Sequence, residues 1–356
     1  MDLRLIAAVF AIIAVIDRLF GCKLRLGQYF ERGIKMIGAS ALAMVGMIVI
    51  APVLAELIRP LLSPDSFIDP SCVPALLFAN DMGGAALSTE LCNDPEIGMF
   101  NGMVVAALMG CTVSFTIPVA LGLTQKSQLR PLSLGILCGV VTIPIGCVIA
   151  GFIADIPFPA LIIDLLPIVL LAGIIVLALI LWPDASVKGF RVLGFIIKLL
   201  ITVGLVLGLL DYLLDYRPIE CIGSYTEAFD IVIYSCTVMS GTLPLLAILS
   251  RLLKKPFEKL GKLLDINSAS ALGFVGSLAT NMTTFETMNE MDEKGCMLNS
   301  AFAVSGAFIL AAHLAFTMAF CEEYVLPVII GKLAAGITAV LLCLLLYPRF
   351  RKMLEK

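Results

Sequence analysis

Nine stretches of this chain are apolar over lengths that can cross a lipid bilayer, for which an α-helix needs about 20 residues. They lie at residues 3–21, 35–58, 96–124, 131–154, 158–182, 187–212, 226–253, 295–321 and 325–347. Composition excludes a soluble protein, because 60% of the 356 residues are hydrophobic, only 14% are charged, and the mean hydropathy is +1.05. The sequence therefore predicts an all-α integral membrane protein with about nine transmembrane helices.

Two further apolar stretches, at residues 72–91 and 268–288, are interrupted by polar residues. The first contains the letters NDMGG and the second contains TNMTTFE, and Asp81 in the first corresponds to Asn281 in the second. Backbone that is not helical can lie at membrane depth only where protein or a wet cavity surrounds it. We expect both stretches to be broken helical hairpins that enter and leave the membrane on the same side.

The distribution of Lys and Arg favours this re-entrant topology. If both stretches crossed the membrane, the basic segment 251–262 would lie on the opposite side from the basic loop 18–35. If both are re-entrant, these two segments share the cytoplasmic side with the tail 348–356, as the positive-inside rule requires. Three basic residues are then left outside: Arg4, Arg59 and Arg217. The predicted N-terminus is outside and the C-terminus inside.

This topology divides the chain into two similar units, each with a span, a hairpin and two more spans. The units cover residues 35–154 and 226–347 and enter the membrane from opposite sides, which makes them inverted-topology repeats. Such repeats with broken elements in corresponding positions are typical of transporters whose substrate binds near the bilayer midplane. The rest of this single membrane domain comprises a first span with a basic amphipathic loop (1–34), connecting spans (155–225) and the basic tail (348–356).

Among the polar residues of the two interrupted stretches, Asp81 is the one whose position most strongly indicates a functional role. A charged side chain at that depth costs about 2.5–3.5 kcal/mol on insertion scales, so it needs a cation or a proton. The alternative is that Asp81 caps the second half of its hairpin by accepting backbone N–H groups, and a structural cap is the favoured interpretation for Asn281. Gly83 and Gly84 are expected to form the hairpin turn, because glycine tolerates the backbone angles of tight turns.

Other polar residues lie within or beside the predicted spans. Asn101 and Asn299 are expected to join helices rather than to bind substrate. His313, the one histidine of the chain, is a candidate proton relay, with packing as the alternative. Glu286 fits a gate charge and a surface charge equally well. Lys332 is expected to extend its ammonium toward the membrane surface, with neutralisation of a buried acid as the alternative.

Six motifs follow one another over nearly the whole chain: ALAMVGM, NDMGG, IPVALG, GVVTIPIGC, GKLLDIN and NSAFAVSGAF. In this order and spacing they resemble the family of the ethanolamine utilisation transporter EutH. The resemblance implies a multi-pass protein of the bacterial inner membrane that imports ethanolamine. The chain departs from the family pattern at Ala312, where relatives often carry Asp before the histidine, and at Asn80, where they often carry Cys.

The chemistry of ethanolamine agrees with the polar residues of the two hairpins. Protonated ethanolamine is a small cation with one hydroxyl group. Its site therefore needs a carboxylate for the ammonium and a hydrogen-bonding side chain for the hydroxyl, and it gains from an aromatic face. On this interpretation Asp81 binds the ammonium. Four side chains are candidates for the hydroxyl and two for the aromatic face: Asn80, Asn281, Thr283 and Thr284, then Phe285 and Phe78.

Three classes of function follow: a secondary carrier, a channel or facilitator for ethanolamine or a related small amine, and a non-transporting membrane scaffold or sensor. The inverted repeat favours transport. The chain has no P-loop, nucleophile elbow, HExxH or CxxC motif, so we expect no ATPase, no enzyme, no metal and no cofactor. The expected partners are ethanolamine and lipid, not nucleic acid. The sequence leaves open whether H⁺ or Na⁺ is coupled and whether the chain forms homo-oligomers.

Overall fold

The computed structural model describes residues 3–61 and 66–354, and these residues form helices joined by loops, without a β-strand. The helices are α1 (Leu3–Leu19), α2 (Gly27–Ile58), α3 (Cys72–Leu77), α4 (Gly84–Leu91), α5 (Pro95–Phe100), α6 (Ile117–Leu123), α7 (Leu129–Ile153), α8 (Phe158–Leu181), α9 (Pro183–Leu214), α10 (Tyr225–Leu264), α11 (Ser268–Ala279), α12 (Asn281–Glu286), α13 (Glu293–Gly306), α14 (Ala312–Phe320) and α15 (Val325–Leu354).

Seven helical segments of the described chain are long and apolar enough to cross a membrane. They are Gly27–Leu61, Pro95–Leu123, Leu129–Ile153, Phe158–Leu181, Ala185–Leu214, Tyr225–Leu264 and Glu322–Lys352. The prediction of an all-helical membrane protein is confirmed, whereas the predicted count of nine crossings is not. Of the two remaining spans, α1 has 17 residues, which is the lower limit for a crossing, and the other is divided between α13 and α14.

The division between α13 and α14 has a tertiary cause. Phe308 lies in the interrupted segment with a positive φ of 64°. The backbone N–H groups of Phe308 and Leu310 donate to the carbonyl oxygens of Ser277 and Leu278 at 3.1 and 3.0 Å. The chain therefore bonds to the end of α11 in place of its own preceding turn, and two half-helices result.

The corresponding segment of the first unit is also irregular. Between α5 and α6 the backbone is π-helical over Asn101–Gly110 and Thr112–Thr116, and every residue of the first stretch is buried. We call residues 101–116 the π segment. Helices α3, α4, α7 and α15 pack around it. Because π-helical turns are rare and occur frequently at functional sites, this segment marks the centre of the molecule as the place to look for one.

The long helices form the frame around this centre. Helix α7 packs along α15 and α13, and α2 packs along α10 and α9. Helices α8 and α9 lie at the periphery and expose large apolar side chains such as Leu170, Leu177 and Phe195. An apolar surface of this extent is typical of contact with lipid.

Each predicted hairpin returns to the point at which it begins. Before α3, the carboxylate of Asp69 accepts hydrogen bonds from the backbone N–H groups of Asn93 and Asp94, both at 3.0 Å. Around α11 and α12, the backbone N–H of Asn267 donates to the carboxylate of Asp292 at 2.8 Å. The two ends of each stretch are therefore held together, as in a hairpin.

Candidate functional site

The first hairpin is broken at its centre, between α3 and α4. Asn80–Met82 form a single 3₁₀ turn, and Gly83 redirects the chain with a φ of 99°. A side chain at Gly83 would be strained in this left-handed conformation and would overlap the side chain of Met47. Gly84 begins α4, and its N–H donates to the carbonyl oxygen of Ala79 at 2.8 Å. We call this segment the first break.

Asp81 lies in the first break with its side chain 18% exposed. Its Oδ1 is 3.9 Å from Nε2 of His313, which lies in the first turn of α14. The N-cap of α4 is Gly83, which has no side chain, and the N–H groups of Gly84 and Leu87 donate to the carbonyl oxygens of Ala79 and Gly83. These bonds do not support the capping interpretation of Asp81. The carboxylate is therefore available to a cation that enters beside the imidazole.

Asn80 is fully buried next to this carboxylate. Within the described part of the chain, neither the nitrogen nor the oxygen of its side-chain amide has a hydrogen-bond partner, and Nδ1 of His313 also has none. Buried polar groups without partners cost free energy and are rare in native proteins. Donors and acceptors for a small polar ligand are thus present beside Asp81.

Two aromatic rings extend the contacts of His313 in succession. Its imidazole stacks on the ring of Phe308 with 5.1 Å between centroids, and Phe308 meets Phe115 edge-on at 5.6 Å. Phe115 belongs to the π segment. Phe308 therefore adjoins His313 and Phe115 adjoins Phe308, and no sequence pattern had singled out either ring.

The second hairpin is broken at Thr280, between α11 and α12. The hydroxyl of Thr280 caps α12 by accepting a hydrogen bond from the N–H of Met282 at 3.3 Å. The expectation that Asn281 is the cap is therefore wrong. Asn281 is fully buried, its Nδ2 donates to Oγ1 of Thr116 at 3.0 Å, and its Oδ1 has no partner among the described residues.

The two threonines predicted to bind substrate satisfy groups within their own hairpin. Oγ1 of Thr284 lies 2.9 Å from Oγ of Ser277 and donates to the carbonyl oxygen of Gly273 at 3.1 Å. Thr283 is exposed and donates to the carbonyl oxygen of Thr280 at 3.1 Å. Both hydroxyls therefore bond to backbone carbonyl oxygens of their own hairpin.

Phe285 and Glu286, the remaining predicted site residues of this hairpin, differ in their exposure to solvent. Phe285 is buried in the main apolar core, whereas Glu286 is exposed. An exposed carboxylate fits the surface-charge interpretation of Glu286. Of the second-hairpin candidates, Asn281 is the one whose side chain reaches the π segment.

Three consecutive residues of the π segment connect the two breaks. Oγ of Ser114 accepts a hydrogen bond from the N–H of Ala79 in the first break at 3.1 Å. Thr116 accepts the bond from Asn281 in the second break, and Phe115 lies between them. Sequence reasoning missed this connection, although the polar letters TVSFT within an apolar span were an available signal.

The favoured interpretation of Lys332, extension to the membrane surface, is wrong. The side chain does not extend to the membrane surface: it is 1% exposed, and its Nζ donates to the carbonyl oxygen of Ala107 in the π segment at 2.6 Å. Its ammonium also interacts electrostatically with Asp81. The centre of the protein thus contains one carboxylate, one imidazole and one lysine in proximity.

Asp164 in α8, a buried carboxylate, was not recognised from the sequence. It is 2% exposed and accepts a hydrogen bond from Nδ2 of Asn101 at 2.9 Å. The same amide donates to Oγ of Ser71 at the base of the first hairpin at 3.0 Å. In the second unit, Nδ2 of Asn299 donates to the carbonyl oxygen of Ser270 at the base of the second hairpin at 2.8 Å. Both asparagines therefore join a hairpin to the segment that follows it.

Known proteins resemble this chain over almost its full length. The model of a family described as "Ethanolamine utilisation protein, EutH" matches residues 3–346. A protein of Listeria monocytogenes named "Probable ethanolamine permease EutH" is 40% identical over 347 residues, which cover 97% of this chain and 93% of that protein.

More distant relatives align equally completely. A Salmonella typhimurium protein with the same name is 35% identical over 381 residues, covering 96% of this chain and 93% of the relative. "Uncharacterized protein YxeR" of Bacillus subtilis is 33% identical over 337 residues, covering 94% and 91%. No solved structure matches the chain.

Proposed function

This chain belongs to the EutH family of ethanolamine utilisation proteins, and on that premise we propose that it carries protonated ethanolamine into the cell across the bacterial inner membrane. The family and the helical membrane fold are those of a transporter rather than of an enzyme. Because two relatives are named probable ethanolamine permeases, ethanolamine is the first substrate to test.

The observation that carries the proposal is the environment of Asp81. Its enclosed carboxylate has His313 at 3.9 Å and the unpartnered amide of Asn80 as its neighbour in the chain. The carboxylate would bind the ammonium of ethanolamine through a charge-assisted hydrogen bond. The Asn80 amide can donate to the substrate hydroxyl or accept from it. Both ends of the molecule then find partners in the first break.

The second break supports a site shared between the two hairpins. Asn281 and Ala79 bond to neighbouring residues of the π segment, Thr116 and Ser114. The unpartnered Oδ1 of Asn281 gives the second hairpin a polar group that can accept a hydrogen bond. Movement of either hairpin would change its contacts with the π segment. A carrier that opens its site alternately to the two sides requires two elements that can move in this way.

The inverted-repeat arrangement is part of the same proposal. Each hairpin is closed at its base by an acidic side chain, Asp69 in the first and Asp292 in the second. Each base is also tied to the following segment by an asparagine, Asn101 or Asn299. The same residue types at corresponding positions of the two hairpins support a repeat of one structural unit. The positive-inside rule assigns the two units opposite orientations in the membrane.

Burial at both breaks favours a carrier over a channel. Asn80, Asn281 and His313 are each 2% exposed or less, and the Asp81 side chain is 18% exposed. A fixed pore would keep the groups that line it in contact with water, whereas a carrier encloses its site between openings. Alternating access is therefore the proposed mechanism.

Counterflow tests both the substrate and the site. Purified protein is reconstituted in proteoliposomes loaded with unlabelled ethanolamine, and entry of radiolabelled ethanolamine is measured at acidic pH, where diffusion of the neutral base is slow. We expect saturable counterflow with wild type. Asp81→Asn should lose about tenfold or more in affinity, because hydrogen bonds to charged groups contribute about 1.5–3 kcal/mol.

The matched control is Asp215→Asn, the same chemical change at an exposed residue outside the two breaks. Its counterflow should equal that of wild type. Counterflow that survives in a folded Asp81→Asn variant would remove Asp81 from the site. Well-folded wild type that does not exchange ethanolamine would refute the proposed substrate, and labelled entry without saturation or counterflow would identify a channel.

A further inference from the structure

Lys332 places an ammonium group in the interior of the membrane domain, where a positive charge is costly. Nζ donates to one neutral acceptor, the carbonyl oxygen of Ala107. Among the residues that the structure describes, no carboxylate lies within 4.0 Å of Nζ. A buried charge without an ion-pair partner is strongly destabilising. Keeping the Lys332 ammonium charged at this position therefore costs free energy. An uncharged hydrogen-bond donor would suffice if the role of the side chain were purely structural.

Backbone contacts place the Lys332 ammonium near the first break: it binds the carbonyl oxygen of Ala107, which lies three residues before Gly110, and Gly110 packs against the backbone of Phe78. Four titratable side chains interact electrostatically with Lys332. They come from the first break, α14, the π segment and α7, and they are Asp81, His313, Cys111 and Cys147. Asp81 is the one carboxylate of this set. The Lys332 ammonium and the ammonium of a bound ethanolamine thus depend on the same negative charge.

We infer that ethanolammonium and the proton on Lys332 compete for stabilisation by the negative charge of Asp81. The protein then exchanges one substrate cation for one proton. This inference rests on the proposed function. Two ammonium ions near one carboxylate in a largely buried site repel each other. If Lys332 loses its proton when the substrate binds, a neutral amine remains and one cation again faces one carboxylate.

The exchange balances charge in each half of the cycle. Binding of ethanolammonium from outside releases the Lys332 proton to the outside. After the substrate leaves on the cytoplasmic side, Lys332 takes up a proton there, and the protonated form returns to the outward-facing state. One positive charge crosses in each direction per cycle, and the membrane potential does no work on the exchange.

This stoichiometry has a thermodynamic consequence. An electroneutral exchange of ethanolammonium for H⁺ leads to the same equilibrium distribution as diffusion of the neutral base. The protein then accelerates equilibration without concentrating its substrate, and net uptake must be driven by reactions that consume ethanolamine inside the cell. Neither Na⁺ nor a further proton is required.

Proton release on binding is the direct test. Purified wild type in weakly buffered detergent solution near pH 6.5 receives ethanolamine hydrochloride adjusted to the same pH, and a pH indicator records the protons released. We expect about one proton per bound ethanolamine, as linkage requires when ligand and proton exclude each other. Isothermal titration in two buffers of different ionisation enthalpy gives the same count independently.

Variants of Lys332 separate proton exchange from binding. Lys332→Met should bind ethanolamine and release no proton, whereas Lys332→Arg, which keeps its charge, should bind at least about tenfold more weakly. The control Lys198→Met changes an exposed lysine of α9 and should release protons as wild type does. Equal proton release by wild type and Lys332→Met would overturn the inference.

A potential-jump experiment keeps the inference testable even if Lys332→Met does not fold. Net uptake into wild-type proteoliposomes should change less than twofold when an inside-negative potassium diffusion potential is imposed. A carrier of the bare cation would shift its accumulation ratio about tenfold per 59 mV. Binding without proton release, or uptake that follows the potential, refutes the exchange and leaves the proposed function intact, whereas no binding by wild type refutes the proposed function itself.

Discussion

Asn101 connects a buried carboxylate to the base of the first hairpin through one amide group. Its Nδ2 donates to both Asp164 and Ser71, and all three residues are buried. Asn101→Ala removes this donor, and each buried group left unsatisfied costs about 1–3 kcal/mol. We expect the variant to unfold at a clearly lower temperature than wild type in detergent, as followed by scanning fluorimetry.

Asn289→Ala is the matched control for this measurement, because Asn289 is exposed and exposed substitutions usually change stability by less than about 0.5 kcal/mol. Equal unfolding temperatures for Asn101→Ala and Asn289→Ala would show that the amide does not anchor the hairpin.

The sequence identified some of these central residues and not others, for a physical reason. Asp81 and Asn281 interrupt short apolar stretches, so their depth is evident from their neighbours. Asp164 and Lys332 lie in long regular helices, where hydropathy does not reveal whether a side chain faces lipid, water or the protein interior. The partners of these two residues belong to other helices, and pairing across helices is a property of tertiary packing that one chain pattern does not encode.

At the scale of elements, the close contact between the first hairpin and the π segment depends on Gly110. A Cβ at this position would overlap the backbone carbonyl oxygen of Phe78, which cannot rotate away as a side chain could. Gly110→Ala should therefore displace the first break, at a cost of about 1–3 kcal/mol from overpacking. We expect reduced ethanolamine counterflow and a lower unfolding temperature.

Gly122→Ala provides the control, because a Cβ at Gly122 would have no heavy atom within 4 Å. Alanine there should preserve counterflow. Wild-type behaviour of Gly110→Ala would mean that the break and the π segment separate without consequence for transport.

The elements themselves could be predicted to the extent that local composition determines them. Polar residues within apolar stretches revealed both hairpins, and the structure closes each of them at its base through Asp69 and Asp292. The break between α13 and α14 could not be predicted, because residues 307–311 read AFILA and are wholly apolar. This break is stabilised by hydrogen bonds to Ser277 and Leu278 of another helix, which no local pattern reports.

At the scale of the whole molecule, the orientation of the two hairpins relative to the membrane decides whether the units are inverted. Four exposed positions report it: Phe67, Asn93, Leu263 and Asn289. The first two flank the first hairpin and the last two flank the second. Single cysteines at these positions should react with a membrane-impermeant maleimide in two groups, the first pair from outside the cell and the second pair only after permeabilisation.

Native thiols near the surface must be replaced first, because thiolate is the reactive species and its amount at neutral pH varies with environment. Burial raises the pKa of the Cys92 thiol, and a hydrogen bond with Glu56 raises that of Cys221. Both would therefore label slowly near neutral pH and faster as the pH rises, which would confuse a comparison between faces. Serine at these positions, and at Cys22 and Cys321, which are also partly exposed, removes this background.

The labelling pattern discriminates between the possible topologies because each predicts a different grouping. Two hairpins inserted from opposite sides give the pairs Phe67 with Asn93 and Leu263 with Asn289. If the first stretch crossed the membrane, Phe67 and Asn93 would react from opposite faces, although Asp69 bonds directly to the backbone of Asn93. If all four positions reacted from one face, the hairpins would be parallel, and a carrier built on inverted units would have to be abandoned.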